Sequence, residues 1–245
     1  MRRVVSQPAY VLHRRSYRET SFLVEIFTPD YGRLTLSARG ARNTKSTSQG
    51  LLQPFTPLMV SWAGKGELMS LAQVDACGEV RHLKGDSVFA GFYLNELLMA
   101  LLERWDAHPV LFAAYDRALT SLQAVPLNQN ALRTFEKTLL EELGYGLLPK
   151  DGGAQHVAYL PDKYYRFVPE QGFVISELGE DAKAKAALFS GKSLLAISNE
   201  DWQDEDCMRD AKRLTRFVLA PLLGNRQIHS RKLFMQFGEV KIDEE

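Results

Sequence analysis

Apolar and polar residues alternate along the first 80 positions with the two-residue period of β-strands. The run Ser21–Thr28 is the clearest, because Phe22, Val24 and Ile26 fall on one face. The segment Pro29–Gly32 then indicates a turn, since proline presets φ and glycine tolerates positive φ. The pattern predicts a small closed barrel with strands at 9–13, 21–28, 33–38, 55–62 and 68–74.

The apolar period becomes helical from about residue 86. A long helix that begins there is apolar on most of its surface, which predicts a central and mostly buried position. Further helices are predicted at 110–122, 131–143, 204–222 and 230–237, and a small β-hairpin at 164–175. The predicted fold is α+β, with an oligonucleotide/oligosaccharide-binding (OB) or SH3-like barrel over 1–80. A mainly helical domain follows over 81–245, and its segment 147–190 is irregular.

Charge is unevenly distributed along the chain. The 245 residues include 30 Lys/Arg and 30 Asp/Glu, so the chain is neutral overall. Residues 1–50 contain nine Lys/Arg against three acids, and residues 209–232 contain seven against one, so each region has a net charge of +6. Separate basic regions on a neutral protein indicate localised binding of anions.

Several classes of protein are disfavoured by what the sequence lacks. Cys77 and Cys207 lie far apart, as is typical of reduced cytoplasmic chains. No apolar run approaches the roughly 20 residues that span a bilayer, and no signal peptide is visible. Nucleotide-binding, serine-hydrolase and zinc-protease motifs are missing, and the five histidines are scattered. We therefore expect a cytoplasmic protein that is not an enzyme, with no cofactor, no metal and no membrane contact.

The first basic region centres on the segment after the third predicted strand. This segment carries Arg39, Arg42 and Lys45 without an acid, and its glycine, serine and threonine residues indicate a flexible arm. Loops at the mouth of a small barrel often form cationic grooves, so a phosphate backbone is the expected ligand. The candidate nucleic-acid contacts of this region are Arg14, Arg15, Arg18, Arg33, Arg39, Arg42, Lys45 and Lys65.

Aromatic residues near these cations are candidates for stacking on bases. They are Tyr17, Tyr31 and Trp62. Trp62 shares a strand face with Leu58 and Val60, so packing in the barrel core is the alternative for its ring. Composition alone does not distinguish DNA from RNA as the ligand.

The second basic region includes a stripe on a predicted helix. Arg209, Lys212, Arg213 and Arg216 follow i, i+3, i+4, i+7 spacing, which places them within about 100° of one another around the helix axis. Asp210 is the one acid in this region, and repulsion among the cations favours anion binding over the alternative of a solvated cationic face. Arg231 and Lys232 are expected to extend this surface.

Six segments of the chain also carry a family resemblance. They are AYVLHRRSYRETSFLVEIFTPDYGRLTLSARGAR, LLQPFTPL, YLNELL, LRTFEKTLLEELGYG, AKRLTRFVLAPLLG and SRKLFMQF. In this order they resemble the bacterial RecO recombination-mediator family over nearly the whole chain. The resemblance implies an OB-fold domain, a helical domain and a nucleoid-associated DNA repair protein without catalytic activity. It implies binding of single- and double-stranded DNA, annealing of complementary strands, and contacts with RecR and the C-terminal tail of single-stranded-DNA-binding protein (SSB). Together these help to load RecA.

The resemblance also bears on metal binding and on the SSB tail. Many members carry four zinc-binding cysteines after the Leu-Gly-Tyr segment, but residues 147–190 here contain none, so we expect a metal-free remnant. In the family, a basic residue of the LRxF segment helps to hold the SSB tail, and Arg133 has that position beside Leu132 and Phe135. An Arg beside apolar walls suits a peptide that ends in an aromatic residue and a carboxylate. The alternative for Arg133 is an ordinary exposed helix arginine.

Two other functions remain open from the sequence. One is an adaptor that binds SSB and RecR, with incidental DNA contacts. The other is an OB-type RNA-binding protein. Substitution of Arg39, Arg42 and Lys45 separates the adaptor from the mediator, and competition between RNA and DNA oligomers tests the RNA alternative.

Overall fold

The protein is described by a computed structural model over residues 2–43, 46–145, 159–168, 172–176 and 187–239. The strands are β1 (Arg2–Tyr17), β2 (Ser21–Thr28), β3 (Gly32–Ala38), β4 (Leu58–Gly64), β5 (Leu68–Ala76), β6 (Tyr164–Val168), β7 (Gly172–Ser176) and β8 (Leu188–Ser190). The helices are α1 (Ser48–Leu51), α2 (Asp86–Leu101), α3 (Pro109–Ser121), α4 (Gln129–Glu142), α5 (Gly191–Asn199), α6 (Glu205–Leu223) and α7 (His229–Glu239).

Strands β1 to β5 form a closed barrel in the order β1-β2-β3-β5-β4. Strand β3 pairs with β5 in parallel, and all other neighbours are antiparallel. The alternation predicted for β2 is confirmed, because Phe22, Val24 and Ile26 all lie in the barrel core. The barrel and the helices that follow it confirm the predicted α+β class, and the barrel is of the OB type.

Strand β1 is much longer than the predicted segment 9–13. Its first half pairs with β4 and its second half with β2. Irregularities between Val4 and Gln7 and between Val11 and His13 shift the register, and bulges of this kind interrupt a two-residue period. The local pattern therefore hides the length of β1. Strand β4 starts later than predicted, at Leu58.

Helices α2 and α3 pack on the barrel within one compact unit, which comprises Met1–Asn128 and Arg226–Glu245. The Asn95 side chain on α2 donates a hydrogen bond to the Leu12 carbonyl of β1 (2.9 Å) and accepts one from the Tyr115 hydroxyl of α3 (2.5 Å). Both side chains are buried, so this polar link holds the two helices against the barrel.

The chain makes close contact with the start of β3 just after α2. The Trp105 amide donates to the Arg33 carbonyl (3.0 Å), and Trp105 has a positive φ of 64°. Gly32 is required here, since a Cβ on it would lie 1.7 Å from the Asp106 carbonyl oxygen. The chain therefore leaves the helix after Leu101 and runs against β3.

The other compact unit comprises Gln129–Asn225. The predicted hairpin is confirmed, because β6 pairs with β7, and β8 adds a third strand that the sequence did not indicate. Helix α5 was also missed, although its N-cap Ser190 accepts a hydrogen bond from the Ser193 amide (3.0 Å). The helix was missed because it is short and the residues beside it have no clear apolar period.

The predicted division at residue 80 stays a prediction. The compact units of the structure divide at other positions. Helices α2 and α3 belong with the barrel, and so does α7 at the far end of the sequence. Glu96 on α2 accepts hydrogen bonds from the Ser230 amide (3.1 Å) and hydroxyl (2.8 Å) of α7. The division that the sequence pattern predicts therefore differs from the division of the folded chain into compact units.

Candidate nucleic-acid interface

An open groove lies on the barrel at the turn between β1 and β2. Its volume is about 770 Å³. The β1–β2 turn forms one wall, and the end of β3 and the start of β5 complete it, because these two strands pair in parallel with Ser37 opposite Ser70. The lining residues are Tyr17, Arg18, Glu19, Thr20, Ser21, Ser37, Arg39, Leu68 and Ser70. This is the strand 2–3 face and β1–β2 loop at which OB folds bind oligonucleotides.

Two of the predicted basic contacts line this groove directly. Arg18 and Arg39 are both exposed, and neither forms an ion pair with a residue that the structure describes. Glu19 supplies one opposing charge. Arg15 and Arg42 are also exposed on the segments that flank the groove, so the local charge favours an anionic ligand.

The sequence indicated that the segment after β3 is a flexible arm. Its described residues are instead anchored to the barrel. Its Ala41 and Leu52 are buried in the barrel core. The Arg14 guanidinium donates to the Gln49 carbonyl (3.0 Å) and lies over the Phe22 ring at 4.8 Å. Arg14 is thus engaged in holding this segment. Lys45 lies outside the described residues.

Lys65 and Arg33 differ in their relation to the groove. Lys65 is exposed in the turn between β4 and β5, which leads to the groove residue Leu68, and such β4–β5 loops contribute to ligand binding in OB folds. Arg33 does not line the groove. Its guanidinium lies 3.8 Å from a carboxylate oxygen of Glu25 and contacts the sulfur of Met99 at 3.8 Å.

The aromatic candidates have different environments. Trp62 is fully buried in the barrel core, and the Tyr31 ring packs edge-on against it at 5.3 Å. The core alternative is therefore correct for Trp62, which cannot stack on a base. Tyr17 lines the groove, and the Arg18 guanidinium lies 5.1 Å from its ring centroid. Leu68, which is 43% exposed, adds an apolar surface to the same groove.

Helix α6 does not present its four predicted cations as one free stripe. Ala211, Leu214 and Val218 are buried as predicted, which places the basic side chains on the other side. Arg209 pairs with Asp206 (2.8 Å), an acid just outside the region counted from the sequence. Lys212 and Arg216 are exposed, and Arg216 forms no ion pair with a described residue.

Arg213 is occupied within its own unit. It pairs with Asp210 (2.9 Å), donates to the Leu188 carbonyl and lies over the Phe189 ring at 4.3 Å. The guanidinium therefore joins α6 to the small sheet through three kinds of contact. Arg213 is thus engaged within its own unit, and its predicted contact with nucleic acid stays a prediction.

Arg231 and Lys232 lie on α7 and belong to the barrel unit, whereas α6 belongs to the other unit. Arg231 stacks on Tyr93, with its guanidinium carbon 5.2 Å from the ring centroid. Lys232 is exposed and donates to the Gln227 side chain (2.9 Å). Their predicted continuity with the α6 stripe stays a prediction.

Comparison with known proteins places this geometry in a family. The model for the N-terminal domain of recombination protein O matches residues 1–79, and the model for its C-terminal domain matches residues 82–232. The chain belongs to the RecO family. A DNA repair protein RecO from Dechloromonas aromatica is 45% identical over 242 residues, which is 97% of this chain and 98% of the relative. One from Coxiella burnetii is 41% identical over 232 residues, 95% of this chain and 98% of the relative.

A third relative extends the comparison to both ends. The DNA repair protein RecO of Nitrosococcus oceani is 42% identical over 248 residues and covers 99% of each chain. These similarities extend through the barrel and the helical region together. The chain therefore has a role in DNA repair and recombination, as its family does.

The RecO-family position Arg133 is buried in this structure. Its guanidinium pairs with the carboxylate of Glu136 (2.6 Å) and donates to the Thr215 hydroxyl of α6 (3.0 Å), and its side chain is 8% exposed. Leu132 and Phe135 are buried as well. The alternative of an exposed arginine is wrong. A direct contact of Arg133 with the SSB tail, which stays a prediction, requires this internal ion pair to open.

Some residues of the groove could not be found from the sequence. Thr20, Ser37, Leu68 and Ser70 carry no distinctive local signal, and the parallel pairing of β3 with β5 brings Ser37 together with Leu68 and Ser70. Within the described ranges, no group of three or more His, Cys, Asp or Glu residues has a metal-binding arrangement. No described helix combines the length and apolar character needed to cross a membrane.

Proposed function

We propose that this RecO-family chain is a recombination mediator that binds single- and double-stranded DNA and anneals complementary strands. The observation that carries the proposal is the basic groove formed by Arg18 and Arg39 on the ligand-binding face of an OB barrel. Family membership supports DNA, rather than RNA, as the ligand. The role is one of binding and positioning, without a catalytic step.

Binding depends mainly on charge in this proposal. Arg18, Arg39 and Arg42 neutralise backbone phosphates and release condensed counterions, so affinity decreases steeply with salt. Tyr17 and Leu68 offer surfaces to bases. When two strands lie near one cationic surface, their mutual repulsion is reduced, and complementary bases can meet.

The proposal includes the partners expected for a mediator. Contact with the SSB tail brings the protein to coated strands, and RecR acts with it to help load RecA on the exposed DNA. The protein acts in the cytoplasm, in association with the nucleoid. Arg133, Leu132 and Phe135 remain the proposed tail site, with the condition that the Arg133–Glu136 ion pair must open for direct contact.

Annealing of complementary oligonucleotides, bare and coated with cognate SSB, tests this function. The wild type is expected to anneal both, and Arg18→Gln combined with Arg39→Gln is expected to slow both reactions at least tenfold. Arg117→Gln is the matched control, because Arg117 is an exposed arginine of the same unit outside the groove. If the double variant anneals both substrates at the wild-type rate, the groove has no part in the reaction.

The adaptor and RNA alternatives have their own outcomes. An adaptor would retain SSB and RecR binding and recruit RecA in the double variant as well as in the wild type. An RNA-binding protein would be recognised by competition, if single-stranded RNA displaced DNA of the same sequence at lower concentration. The proposal predicts that DNA competes at least as well as RNA, and that the groove variant impairs RecA loading.

A further inference from the structure

The floor of the groove contains two nearly buried serine side chains. Ser21 is 6% exposed and Ser37 is 7% exposed, and both line the groove. Neither hydroxyl forms a hydrogen bond with a residue that the structure describes. Because buried polar groups in native proteins are nearly always hydrogen-bonded, two such hydroxyls at the bottom of a groove indicate that it binds a polar group.

The two serines lie on neighbouring strands and face the same side of the sheet. Phe22 on β2 and Ala38 on β3 are in the barrel core, so the adjoining Ser21 and Ser37 point to the outer side. Leu23 pairs with Ser37, which makes Ser21 a diagonal neighbour of Ser37, with about 7–8 Å between Cα atoms. Two hydroxyls arranged in this way can donate to different oxygens of one phosphate group that lies between them.

The side chains around this floor supply mainly hydrogen-bond donors. Arg18 and Arg39 line the same groove, and neither forms an ion pair with a described residue. Ser70 pairs with Ser37 and adds a third hydroxyl. Among the described lining residues, Glu19 alone has a side chain that can only accept. The edges of bases present donors as well as acceptors, whereas phosphate oxygens only accept, so this set of groups suits a phosphate better than a base.

The surfaces that suit bases lie beside the floor. Tyr17 pairs with Ser21 from the neighbouring strand β1, and the Arg18 guanidinium lies over one face of its ring, 5.1 Å from the centroid. Leu68 is two positions before Ser70 on β5. A base or sugar can therefore contact Tyr17 or Leu68 while the phosphate lies on the floor between them.

We propose that Ser21 and Ser37 bind a backbone phosphate of a single strand at the floor of the groove, so that its bases turn outward. This inference rests on the proposed function and specifies which side of the strand faces the protein. The small serine side chains let the backbone approach the sheet, and Arg18 and Arg39 balance the phosphate charge. Bases that turn outward are free to pair with a complementary strand, as annealing requires.

Removal of the two hydroxyls, measured on two kinds of strand, tests this inference. Ser21→Ala combined with Ser37→Ala is expected to weaken binding of an oligothymidylate of about 12 nucleotides about tenfold, because hydrogen bonds to a charged group are lost. The same loss is expected for an abasic strand of equal length, which keeps the phosphates and lacks the bases. The salt slope should not change, since hydroxyls carry no charge.

Ser16→Ala is the matched control for these measurements, because Ser16 is an exposed serine of the barrel that does not line the groove. It should bind both strands as the wild type does. A loss in the double serine variant that is confined to the oligothymidylate would show that the hydroxyls contact bases, and it would overturn the inference. Wild-type binding of both strands by the double variant would overturn it as well.

A variant with the opposite effect protects the test against loss of folding. Glu19 repels a phosphate on the floor, so Glu19→Gln is expected to strengthen binding of both strands about threefold, which a misfolded protein could not do. Asp30→Asn is its control, since Asp30 is an exposed acid in the turn between β2 and β3, outside the groove. Unchanged or weaker binding in Glu19→Gln would contradict a phosphate at this position.

The arginine variant distinguishes failure of this inference from failure of the proposed function. Arg18→Gln with Arg39→Gln should weaken binding of both strands and lower the salt slope by about 1.4. If it does, and the double serine variant binds as the wild type does, only the orientation of the strand is wrong. If the arginine variant binds both strands as the wild type does, the proposed function at the groove is wrong.

Discussion

The Arg42 guanidinium donates a hydrogen bond to the backbone carbonyl of Arg18, at 3.1 Å. The Arg42 amide also donates to the Thr20 carbonyl (3.0 Å). These two bonds hold the segment after β3 against the β1–β2 turn. Two basic segments that are separated in sequence therefore lie side by side at one groove, where their charges act on the same ligand.

Arg42 is expected to contribute a positive charge to DNA binding and to hold the segment after β3 in position. Arg42→Gln should weaken single-stranded DNA binding and lower its salt slope by about 0.7, because one phosphate contact is lost. Arg42→Lys keeps the charge and should retain the slope with a smaller loss of affinity. Fluorescence titrations at several salt concentrations measure both, and equal behaviour of the two variants and the wild type would contradict this role.

Two neighbouring arginines of α6 are expected to behave differently. Arg216→Gln should weaken DNA binding without lowering stability, since Arg216 is exposed and has no ion pair with a described residue. Arg213→Gln should lower the thermal midpoint, because it removes the contacts with Asp210, Leu188 and Phe189. Thermal denaturation and DNA titration of both variants check this. A stable Arg213→Gln variant with reduced DNA affinity would show that Arg213 contacts DNA rather than stabilises the fold.

Arg133→Ala is expected to reduce stability, whatever its effect on partners. The substitution removes the Arg133 guanidinium from the buried carboxylate of Glu136, and breaking buried pairs costs about 3–5 kcal/mol. Urea denaturation measures the loss. A fully stable Arg133→Ala that fails to bind an SSB-tail peptide would instead show that Arg133 acts at the surface.

A double substitution provides the control for this prediction. Arg133→Met with Glu136→Leu replaces the buried pair by apolar side chains of similar volume, which is often nearly neutral for stability. Its stability should be closer to the wild type than that of Arg133→Ala. If this variant is stable and binds the SSB-tail peptide normally, a direct role of Arg133 in the tail site is excluded.

Acid should weaken the barrel unit through Asp116. Burial raises the pKa of this carboxyl, but hydrogen bonds from Tyr10 and Arg81 outweigh that effect, so the pKa lies below its usual value. A lowered pKa in the folded state stabilises the protein above the unfolded pKa of about 3.9. The contribution is lost as pH falls through the folded pKa.

Asp116→Asn removes the charge on which this pH dependence rests. The variant should be less stable than the wild type near neutral pH, and the difference should shrink as pH falls below about 4. Urea midpoints between about pH 3 and pH 7 measure it. A stability difference that stays constant over this range would show that ionisation of Asp116 does not contribute.

The sequence predicted the parts of the fold that depend on local periodicity. Strand β2 and helix α6 agree closely with their predicted bounds, because their apolar residues keep one period and Asp204 caps α6. The full length of β1 and the position of Trp105 were not predictable in this way. Register shifts and long-range contacts with β3 and β4 determine them.

The candidate site shows the same division between local and long-range information. The sequence identified Arg18 and Arg39 as cations, but the groove that they line is completed by the parallel pairing of β3 with β5, which brings Leu68 and Ser70 to it. It could not show that Arg213 and Arg133 are engaged inside their unit, because their partners Leu188 and Thr215 lie far away in sequence. Charge was predictable, whereas availability of that charge was not.

The salt dependence of single-stranded DNA binding tests the central claim most directly. The log of the association constant should fall linearly with the log of salt concentration, and the Arg18→Gln, Arg39→Gln variant should lower the slope by about 1.4 for two lost phosphate contacts. Arg117→Gln should leave the slope unchanged. A wild-type affinity that hardly responds to salt, or an unchanged slope in the double variant, would contradict nucleic-acid binding at this groove.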